Sequence, residues 1–409
     1  MACAAVNRPH YSRAQVAQLA TLGDRGMTVK SIAQLVQRGA IPLAGSVLMA
    51  GLAHAQSPQV VKIGHAAPLS GPMAHWGKDN ENGIRLAIEE LNAQKPVIGG
   101  KAVQFELLSQ DDQGDPKQAV VVANQMVDAG IQGMLGHFNS GAAIPSAAIY
   151  SKAGVPDLSP ATNPGFTELG YKNVFRVLAS DADVGEALAQ LAIHKLGAKR
   201  FAVVDDRTAY GKGSADDFAK RIKAMGGEIV AQEYATDKSV DFSAILTNIR
   251  GKKPDVIFYG GMDAQGGLIA NQMKRLGVKA KLMGSDGLCT SEILKISQGA
   301  VNDVLYCSRG GEELSKRPKG VDFAKRYQDR FKAEVLTYGP FMYDSMMVVA
   351  AAMKKADSTD PAKYLAAVRD VNYDGVTNTF NFDDKGNLKN PGVTAYIYKD
   401  GKQTQIPYK

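Results

Sequence analysis

The fold of this chain is decided by the alternation of strands and helices in residues 110–162, QDDQGDPKQAVVVANQMVDAGIQGMLGHFNSGAAIPSAAIYSKAGVPDLSPAT. Asp115 and Pro116 indicate a helix start, because aspartate favours the N-cap and proline is tolerated at the first helical position. Two short apolar runs follow, at residues 133–137 and 154–158, and each leads into a polar loop. Strands that alternate with helices in this way are typical of parallel sheets with helical crossovers.

The same alternation continues on both sides of this segment. Ile84, Ala87, Ile88 and Leu91 fall on one face of a helical pattern that starts near residue 80, so a core-facing helix is predicted there. Further strands are predicted at residues 60–66, 103–108, 200–205, 228–234, 255–259 and 281–283, with helices at residues 182–196, 214–225 and 264–276. The pattern predicts a doubly wound α/β protein.

The N-terminal segment, residues 1–55, has the features of an export signal. Its apolar run, residues 40–53, is about 14 residues long, whereas a membrane-spanning helix needs about 20. The run ends in Ala-His-Ala, a small-x-small motif, which predicts cleavage after Ala55; a membrane anchor is the alternative. Met27 is an alternative translation start, since the region before it is unusually long for a signal peptide.

Charge and length constrain what remains after cleavage. Without residues 1–55 the chain keeps 43 basic and 40 acidic residues, so the net charge of +7 falls to +3. Acids and bases are interspersed, and no basic run with aromatics predicts nucleic-acid binding. About 354 residues is more than one hydrophobic core usually supports, so two domains are predicted.

Cysteine and histidine usage predicts one disulfide and no metal or other cofactor. Of three cysteines, Cys3 leaves with the signal segment, and Cys289 and Cys307 remain as an even pair. A disulfide between them is predicted in an oxidising compartment, with two free thiols as the alternative. The histidines of the mature chain are far apart in sequence and form no metal-type spacing, so no zinc site is predicted.

The sequence also lacks the common catalytic motifs. There is no GxSxG elbow, no GxxxxGK[ST] loop and no GxGxxG after the first strand. The acidic pairs at residues 111–112 and 205–206 lie in predicted loops without a partnered base, so they are interpreted as solvated surface. The chain is therefore predicted not to be an enzyme, and a dinucleotide-binding dehydrogenase is disfavoured.

The polar loops that follow the predicted strands are the candidate binding elements. In doubly wound sheets a ligand binds beyond the carboxyl ends of the strands, where helix N-termini present free N–H groups. Asn139-Ser140-Gly141 opens a helix after the strand at residues 133–137, so backbone N–H groups and the Ser140 hydroxyl can receive a carboxylate. A plain N-cap role for Ser140 is the alternative.

Six short motifs together carry a family resemblance. They are DPKQA at 115–119, GHFNS at 136–140, SPAT at 159–162, AYGKG at 209–213, FYGG at 258–261 and MGSDG at 283–287. With these motifs, residues 60–391 resemble the substrate-binding proteins of branched-chain amino-acid ABC transporters. The resemblance implies a type I periplasmic-binding-protein fold, with two doubly wound parallel-sheet lobes joined by a three-strand hinge. It implies lobe 1 at 58–179 plus 310–388 and lobe 2 at 180–309 plus 389–409.

The resemblance also implies a ligand site. Ser140 would hold an amino-acid carboxylate, and Thr162 would contact both the carboxylate and the ammonium. Asp286, where the family carries a glutamate, would pair with the ammonium. Turn-forming roles are the alternatives for Thr162 and Asp286. Trp76, placed in a predicted loop, would form part of the apolar wall. The implied ligand-binding residues are Trp76, Phe138, Asn139, Ser140, Pro160, Ala161, Thr162, Tyr210, Met262, Asp286 and Tyr338.

The function expected from this resemblance is capture of a hydrophobic amino acid, branched-chain or aromatic, by lobe closure in the periplasm. The partners it implies are the permease and ATPase subunits of an ABC importer in the inner membrane, and a monomer is expected. The alternative is a carrier or sensor of the same fold for amides, urea or aromatic carboxylates.

Overall fold

The structure is a computed structural model, and it describes residues 57–408. The predicted signal peptide, the cleavage after Ala55 and the alternative start at Met27 lie outside these residues. The described residues form two large β-sheets flanked by helices, one sheet to each lobe. We call them lobe 1 and lobe 2 in chain order.

The sheet of lobe 1 has six strands in the order β2-β3-β1-β4-β5-β6. All neighbouring strands are parallel except the β2–β3 pair, which is antiparallel. The bounds are β1 Gln59–Ala67, β2 Val97–Ile98, β3 Lys101–Asp111, β4 Gly133–Gly136, β5 Asp157–Ser159 and β6 Val174–Arg176. The jump from β3 across β1 to β4 creates a switch point, and loops at such a point commonly bind ligands.

The sheet of lobe 2 has seven strands in the order β15-β14-β11-β10-β9-β7-β8. Its central strands are parallel, and β14 and β15 add an antiparallel edge. The bounds are β7 Arg200–Asp205, β8 Glu228–Tyr234, β9 Val256–Gly260, β10 Lys281–Gly284, β11 Leu305–Gly310, β14 Val393–Lys399 and β15 Lys402–Ile406. A two-stranded ribbon, β12 Tyr373–Asp374 with β13 Thr379–Phe380, precedes the edge.

Helices cover the sheets. Lobe 1 takes α1 Ala74–Ala93, α2 Pro116–Asp128, α3 Ser140–Ala153, α4 Gly165–Glu168, α10 Pro318–Phe331, α11 Gly339–Lys355 and α12 Pro361–Arg369. Lobe 2 takes α5 Asp181–Gln190, α6 Ala209–Ala224, α7 Ser243–Lys252, α8 Asp263–Arg275 and α9 Glu292–Ile296. The chain passes between the two sheets after β6, after β11 and before β14. The predicted fold class, two doubly wound lobes with three crossings, is confirmed.

The N-terminal part of α1 differs from the prediction. The sequence placed Trp76 in a loop and began the helix near residue 80, whereas α1 begins at Ala74 and Trp76 is fully buried. The polar residues that suggested a loop find partners in other elements. Asp79, for example, accepts hydrogen bonds from the amides of Tyr338 and Gly339, at 3.0 and 2.6 Å. Tertiary contacts therefore override the local polarity of this turn.

Two predicted boundaries also shift. The strand predicted at 154–158 begins at Asp157, because Gly154 adopts a left-handed conformation, with φ of 71°, and ends α3. The helix predicted at 182–196 is divided into α5 and a π-helical turn at Leu191–Lys195. Within residues 57–408, no helix has the length and apolar content that crossing a membrane requires.

Candidate functional site

The loops at the carboxyl ends of both sheets meet in the cleft between the lobes. In lobe 1, residues 138–140 follow β4 and residues 160–162 follow β5. In lobe 2, Met262 follows β9 and Asp286 follows β10. The residues for which ligand contacts were predicted are all buried, and hydrogen bonds join the lobes through several of them.

Three predicted residues form an aromatic wall contributed by lobe 1. The rings of Trp76 and Phe138 stack with centroids 6.0 Å apart, and Tyr338 meets each ring edge-on at a centroid distance of 5.0 Å. These offset and edge-to-face arrangements are the favourable ones for aromatic pairs. The wall therefore presents mainly apolar surface, and the hydroxyl of Tyr338 extends from it toward lobe 2.

Asp286 lies opposite this wall, in the turn Asp286–Leu288 that follows β10. The Tyr210 hydroxyl donates a hydrogen bond to Asp286 Oδ1 at 3.0 Å, and the Tyr338 hydroxyl donates to Oδ2. Tyr210 in turn accepts a hydrogen bond from the amide of Gly287 at 2.9 Å. Burial raises the pKa of Asp286, although the two tyrosine hydroxyls oppose this shift. The structure thus brings Tyr210, Asp286 and Tyr338 together across the two lobes.

Asp181 is a second buried carboxylate in the same cleft, and sequence reasoning did not identify it. It is the first residue of α5, it is fully buried, and neither oxygen accepts a hydrogen bond of ordinary geometry. Burial raises its pKa well above the usual range, and the negative charge of Asp286 acts in the same direction. The Thr162 hydroxyl and the Arg176 guanidinium only partly oppose this shift.

The two carboxylates are close enough to influence each other, and neither forms an ion pair within residues 57–408. Arg176, the nearest guanidinium in sequence, donates instead to the carbonyls of Ala161 and Asn163. Buried acids without a positive partner are costly, so such sites usually take up a proton or bind a cationic group. A ligand ammonium would satisfy both acids.

The local sequence explains why Asp181 was missed. In Ser180-Asp181-Ala182-Asp183, Ser180 and Asp183 form a capping box: the Asp183 amide donates to the Ser180 hydroxyl at 3.3 Å. An aspartate beside a capping box looks like ordinary helix-start chemistry. The available signal was that Asp181 is not needed for the cap and directly follows the first chain crossing between lobes.

Lobe 1 supplies hydrogen-bond donors to the cleft, in contrast to the two carboxylates. The N-cap of α3, Asn139, makes no side-chain hydrogen bond to the first turn. Within the described residues, the amides of Ser140 and Gly141 have no hydrogen-bond acceptor. The Ser140 hydroxyl accepts from the Asn163 amide at 3.2 Å, and Asn163 reaches across the cleft to the carbonyl of Ala209 at 2.6 Å. Free N–H groups at a helix N-terminus suit a carboxylate.

The remaining predicted residues lie in two places: Pro160 and Ala161 are in the loop after β5, and Asn139 and Met262 border a cavity. The amide of Ala161 donates to the Ser159 hydroxyl at 3.1 Å, and Pro160 has no N–H group, so this loop offers few free donors. Met262 and Asn139 line a cavity of about 140 Å³ with Tyr210. This cavity opens toward a wider groove of about 820 Å³ at the mouth of the cleft. Tyr210 connects the small cavity to Asp286, and most of the residues around the cavity carry polar side chains.

The disulfide predicted from the even cysteine pair is present in the structure. Cys289 and Cys307 are bonded with a Cα–Cα distance of 5.7 Å. Cys289 directly follows the turn that carries Asp286, and Cys307 lies in β11. The bond therefore ties the Asp286 turn to the sheet of lobe 2.

Comparison with known proteins agrees with this architecture. The family model described as periplasmic binding protein matches residues 60–402. A Leu/Ile/Val-binding protein homolog 1 of Brucella melitensis is 31% identical over 371 residues, which is 90% of this chain and 97% of that protein. The leucine-, isoleucine-, valine-, threonine- and alanine-binding protein of Pseudomonas aeruginosa is 32% identical over 369 residues, covering 89% of this chain and 97% of that protein.

Solved structures give the same picture. The chain is similar to a leucine binding protein, LivK, of Thermotoga maritima, with a TM-score of 0.78 and 27% identity over 85% of this chain and 98% of that one. It is also similar to the branched-chain amino acid transporter substrate binding protein LivJ of Streptococcus pneumoniae, solved with isoleucine, with a TM-score of 0.75 and 28% identity over 85% of this chain and all of that one. The chain belongs to the periplasmic binding protein family.

Proposed function

We propose that this protein is the substrate-binding component of an ABC importer and that it captures a hydrophobic amino acid, branched-chain or aromatic, between its lobes. The observation that carries the proposal is the pair of buried carboxylates, Asp181 and Asp286, neither of which forms an ion pair within the described residues. Its role is binding rather than catalysis, as in the relatives that are named for the amino acids they bind.

The polar ends of a zwitterion fit the two sides of the cleft. The free amides at the start of α3 and the Ser140 hydroxyl would bind the ligand carboxylate. Asp181 and Asp286 would bind the ammonium, and Tyr210 and Tyr338 would share the Asp286 charge. Thr162 lies beside the ammonium-binding group, since its carbonyl accepts from the Asp181 amide at 2.8 Å and its hydroxyl acts on the Asp181 carboxylate.

The apolar side chain of the ligand would lie against the aromatic wall of Trp76, Phe138 and Tyr338. The cavity beside Met262 and Tyr210, about 140 Å³, has room for an aliphatic group of modest size. The three rings present mainly apolar surface, which favours a hydrophobic side chain, whereas the cavity beside Met262 also carries polar residues such as Asn139 and Gln265.

Lobe closure would couple binding to transport. An open form would bind the amino-acid backbone on lobe 1, and lobe 2 would then bring Tyr210 and Asp286 over it. The closed form would be recognised by the membrane permease, which works with ATPase subunits in the importer. We propose lobe boundaries at 58–179 plus 310–388 and 180–309 plus 389–409, a monomer, and a periplasmic location after cleavage behind Ala55. Mass spectrometry of the mature protein from the periplasm tests the cleavage: an N-terminus at Gln56 is expected.

Calorimetric titration of ligand-stripped protein tests the ligand class. The panel contains leucine, isoleucine, valine, phenylalanine, leucinamide and 4-methylpentanoate, the des-amino analogue of leucine. We expect the free amino acids to bind and both analogues to lose most of the affinity, because each analogue lacks one charged end. Preference for 4-methylpentanoate, for benzoate or for an amide would contradict the proposal and would favour the carboxylate, amide or urea carrier instead.

A further inference from the structure

Asp263 forms a contact between the lobes and is not among the predicted ligand-binding residues. It is the first residue of α8 in lobe 2, and it is fully buried. Its Oδ2 accepts hydrogen bonds from His75 Nε2 at 2.9 Å and from the Thr290 hydroxyl at 2.7 Å, and its Oδ1 accepts from Trp76 Nε1 at 3.3 Å. Two of these three donors belong to α1 of lobe 1.

We propose that Asp263 is a positioning residue that holds the Trp76 ring in the pocket wall when the lobes close, and that its pairing with His75 makes closure, and hence ligand affinity, sensitive to pH. We call the group His75, Trp76 and Asp263 the interlobe contact. This inference rests on the proposed function, because it concerns closure over the same ligand pocket.

The geometry makes the contact specific to the closed form. Within α8, Met262 is the N-cap and makes no side-chain cap, so Asp263 depends on donors from other elements. Opening the cleft would remove the indole and imidazole donors and leave Thr290 alone. A buried carboxylate that loses its donors must be solvated again, so Asp263 favours the closed arrangement only while both lobe 1 donors are in place.

The interlobe contact also controls the pocket wall directly. Trp76 is fully buried, with its indole N–H bonded to Asp263 and its ring against Phe138 and Tyr338. The hydrogen bond to Asp263 satisfies the buried indole N–H and, together with the packing against Phe138 and Tyr338, fixes the orientation of the ring. Asp263 therefore links the orientation of a ligand-facing ring to the position of the opposite lobe.

The charges around His75 set the direction of the pH effect. Burial lowers the pKa of His75, but the Asp263 carboxylate opposes this strongly, with smaller contributions from Glu292 in α9 and the carbonyl of Pro72, and the net pKa is raised. On the other side of Asp263 lie the Thr290 hydroxyl and the phenols of Tyr338 and Tyr398. Within the described residues, His75 is the basic group that forms an ion pair with Asp263.

The sign follows from linkage. The His75 pKa is raised in the closed form, so protonated His75 stabilises closure fully below the pKa of the open form. This stabilisation disappears as the pH rises through the closed-form pKa. Ligand binding should therefore take up protons at His75 and should weaken at alkaline pH through this group. The Asp181 and Asp286 carboxyls act oppositely, because a bound ammonium lowers their raised pKa values and favours binding at higher pH.

Two variants isolate the interlobe contact. His75→Gln keeps a hydrogen-bond donor but cannot titrate, and Asp263→Asn keeps an acceptor for the Trp76 indole but removes the charge. His194→Gln is the matched control, because His194 is exposed on the π-helical turn of lobe 2. L-leucine affinity is measured by calorimetry from about pH 5.5 to 8.5 in buffers of different ionisation enthalpy, which also gives the proton uptake.

We expect the affinity advantage of the parent over His75→Gln to fall by about 3- to 10-fold between the two ends of this pH range, as the ion pair is lost. Asp263→Asn should flatten the same part of the profile, and His194→Gln should follow the parent. The Trp76 emission of the leucine complex should change in Asp263→Leu, which offers no acceptor, and be restored toward the parent in Asp263→Asn.

The outcomes separate this inference from the proposed function. Parallel pH profiles for the parent and His75→Gln would overturn the pH link, and identical Trp76 emission in the leucine complexes of the parent and Asp263→Leu would overturn the positioning role. Absence of amino-acid binding by the parent at every pH would instead overturn the proposed function. If either Asp263 variant fails to fold, the His75→Gln profile alone decides the pH link.

Discussion

The two buried carboxylates of the cleft, Asp286 and Asp181, are held in different ways. Asp286 accepts hydrogen bonds from two tyrosine hydroxyls, whereas Asp181 accepts none of ordinary geometry. Protein donors therefore stabilise part of the Asp286 charge before any ligand arrives. Asp181 has to be neutralised by a proton or by a cation from outside. Both carboxylates are buried, so burial does not distinguish them, but the number of hydrogen-bond donors to each carboxylate does. Because Asp181 has fewer donors, it is the stronger structural indication of a cationic ligand group.

The backbone segments that carry Asp286 and Asp181 are also held in place in different ways. The Asp286 turn is tied to β11 by the disulfide that begins at Cys289. Asp181 is fixed by the capping box of Ser180 and Asp183 at the start of α5. A covalent tie and a hydrogen-bonded cap thus hold two acids from distant parts of the chain near each other in one cleft. Four variants test this comparison, in order of expected effect.

Removing the Asp286 charge should have the largest effect on binding. Asp286→Asn keeps the shape but removes the carboxylate that would pair with the ligand ammonium. Loss of one member of a buried charge pair typically costs about 2 to 5 kcal/mol, so leucine affinity should fall by roughly 30-fold to several thousand-fold. Calorimetry against leucine measures this loss directly.

Asp344→Asn is a suitable control for that variant. Asp344 is fully buried in lobe 1 and accepts from the amides of Val376 and Thr377, at 2.8 and 2.9 Å, away from the cleft. It should lower the stability of the protein without a specific loss of leucine affinity. Equal affinity losses in the two variants would remove Asp286 from the ligand site.

Removing the disulfide should affect stability more than binding. A bond that closes a loop with a sequence separation of 18 residues contributes roughly 3 kcal/mol in the chain-entropy model. Urea unfolding of the double variant Cys289→Ser and Cys307→Ser should therefore show a free energy of unfolding lower by about that amount. Leucine affinity should fall less, because hydrogen bonds still hold the Asp286 turn. An unchanged unfolding midpoint would mean that the bond contributes no net stability.

Substitutions where the ligand carboxylate would bind should reduce affinity less than substitutions where the ammonium would bind. Ser140→Ala removes one hydroxyl, while the amides at the start of α3 remain available to the ligand carboxylate. The expected loss is about 1 to 3 kcal/mol in leucine affinity by calorimetry. Ser146→Ala, a buried serine on the same helix, is the matched control and should leave the affinity unchanged. A Ser140→Ala loss as large as that of Asp286→Asn would reverse the proposed asymmetry.

Much of this architecture could be predicted from the sequence, because strand and helix patterns are local. The strands at 200–205 and 228–234 are found with the predicted bounds as β7 and β8. Asp286 could be chosen as a candidate because it follows a short apolar strand in a recognisable motif. These features depend on residues that are neighbours in the chain.

The residues that the sequence did not reveal depend instead on contacts between distant parts of the chain. Asp181, Asp263 and His75 acquire their roles only when distant segments meet, and each has an ordinary local explanation at a helix start. Trp76 was assigned to a loop because its neighbours are polar, yet Asp263 and the amides of the 336–339 segment satisfy those polar groups from elsewhere. Residue pattern indicates where a chain turns; it does not indicate which buried acid lacks a partner.

The smallest expected effect is on the free energy of unfolding of the ligand-free protein, which the ionised Asp181 lowers. Its pKa is raised in the fold, so ionisation of Asp181 destabilises the ligand-free protein as the pH rises above the unfolded pKa and toward the folded one. Asp181→Asn should therefore unfold at a higher temperature than the parent near neutral pH, with a gain of about 0.5 to 2 kcal/mol. The gain should vanish at acid pH, below the unfolded pKa, where the parent carboxyl is protonated in both states.

The same Asp181→Asn variant should bind leucine more weakly than the parent, because the ammonium loses one of its two carboxylates. Opposite effects on stability and affinity are what a carboxylate reserved for a ligand cation should give. Asp183→Asn is the control, since Asp183 belongs to the capping box and its loss should lower stability. If Asp181→Asn lowers the unfolding temperature at neutral pH, Asp181 has a structural partner, and Asp286 alone would have to carry the charge of the ligand ammonium.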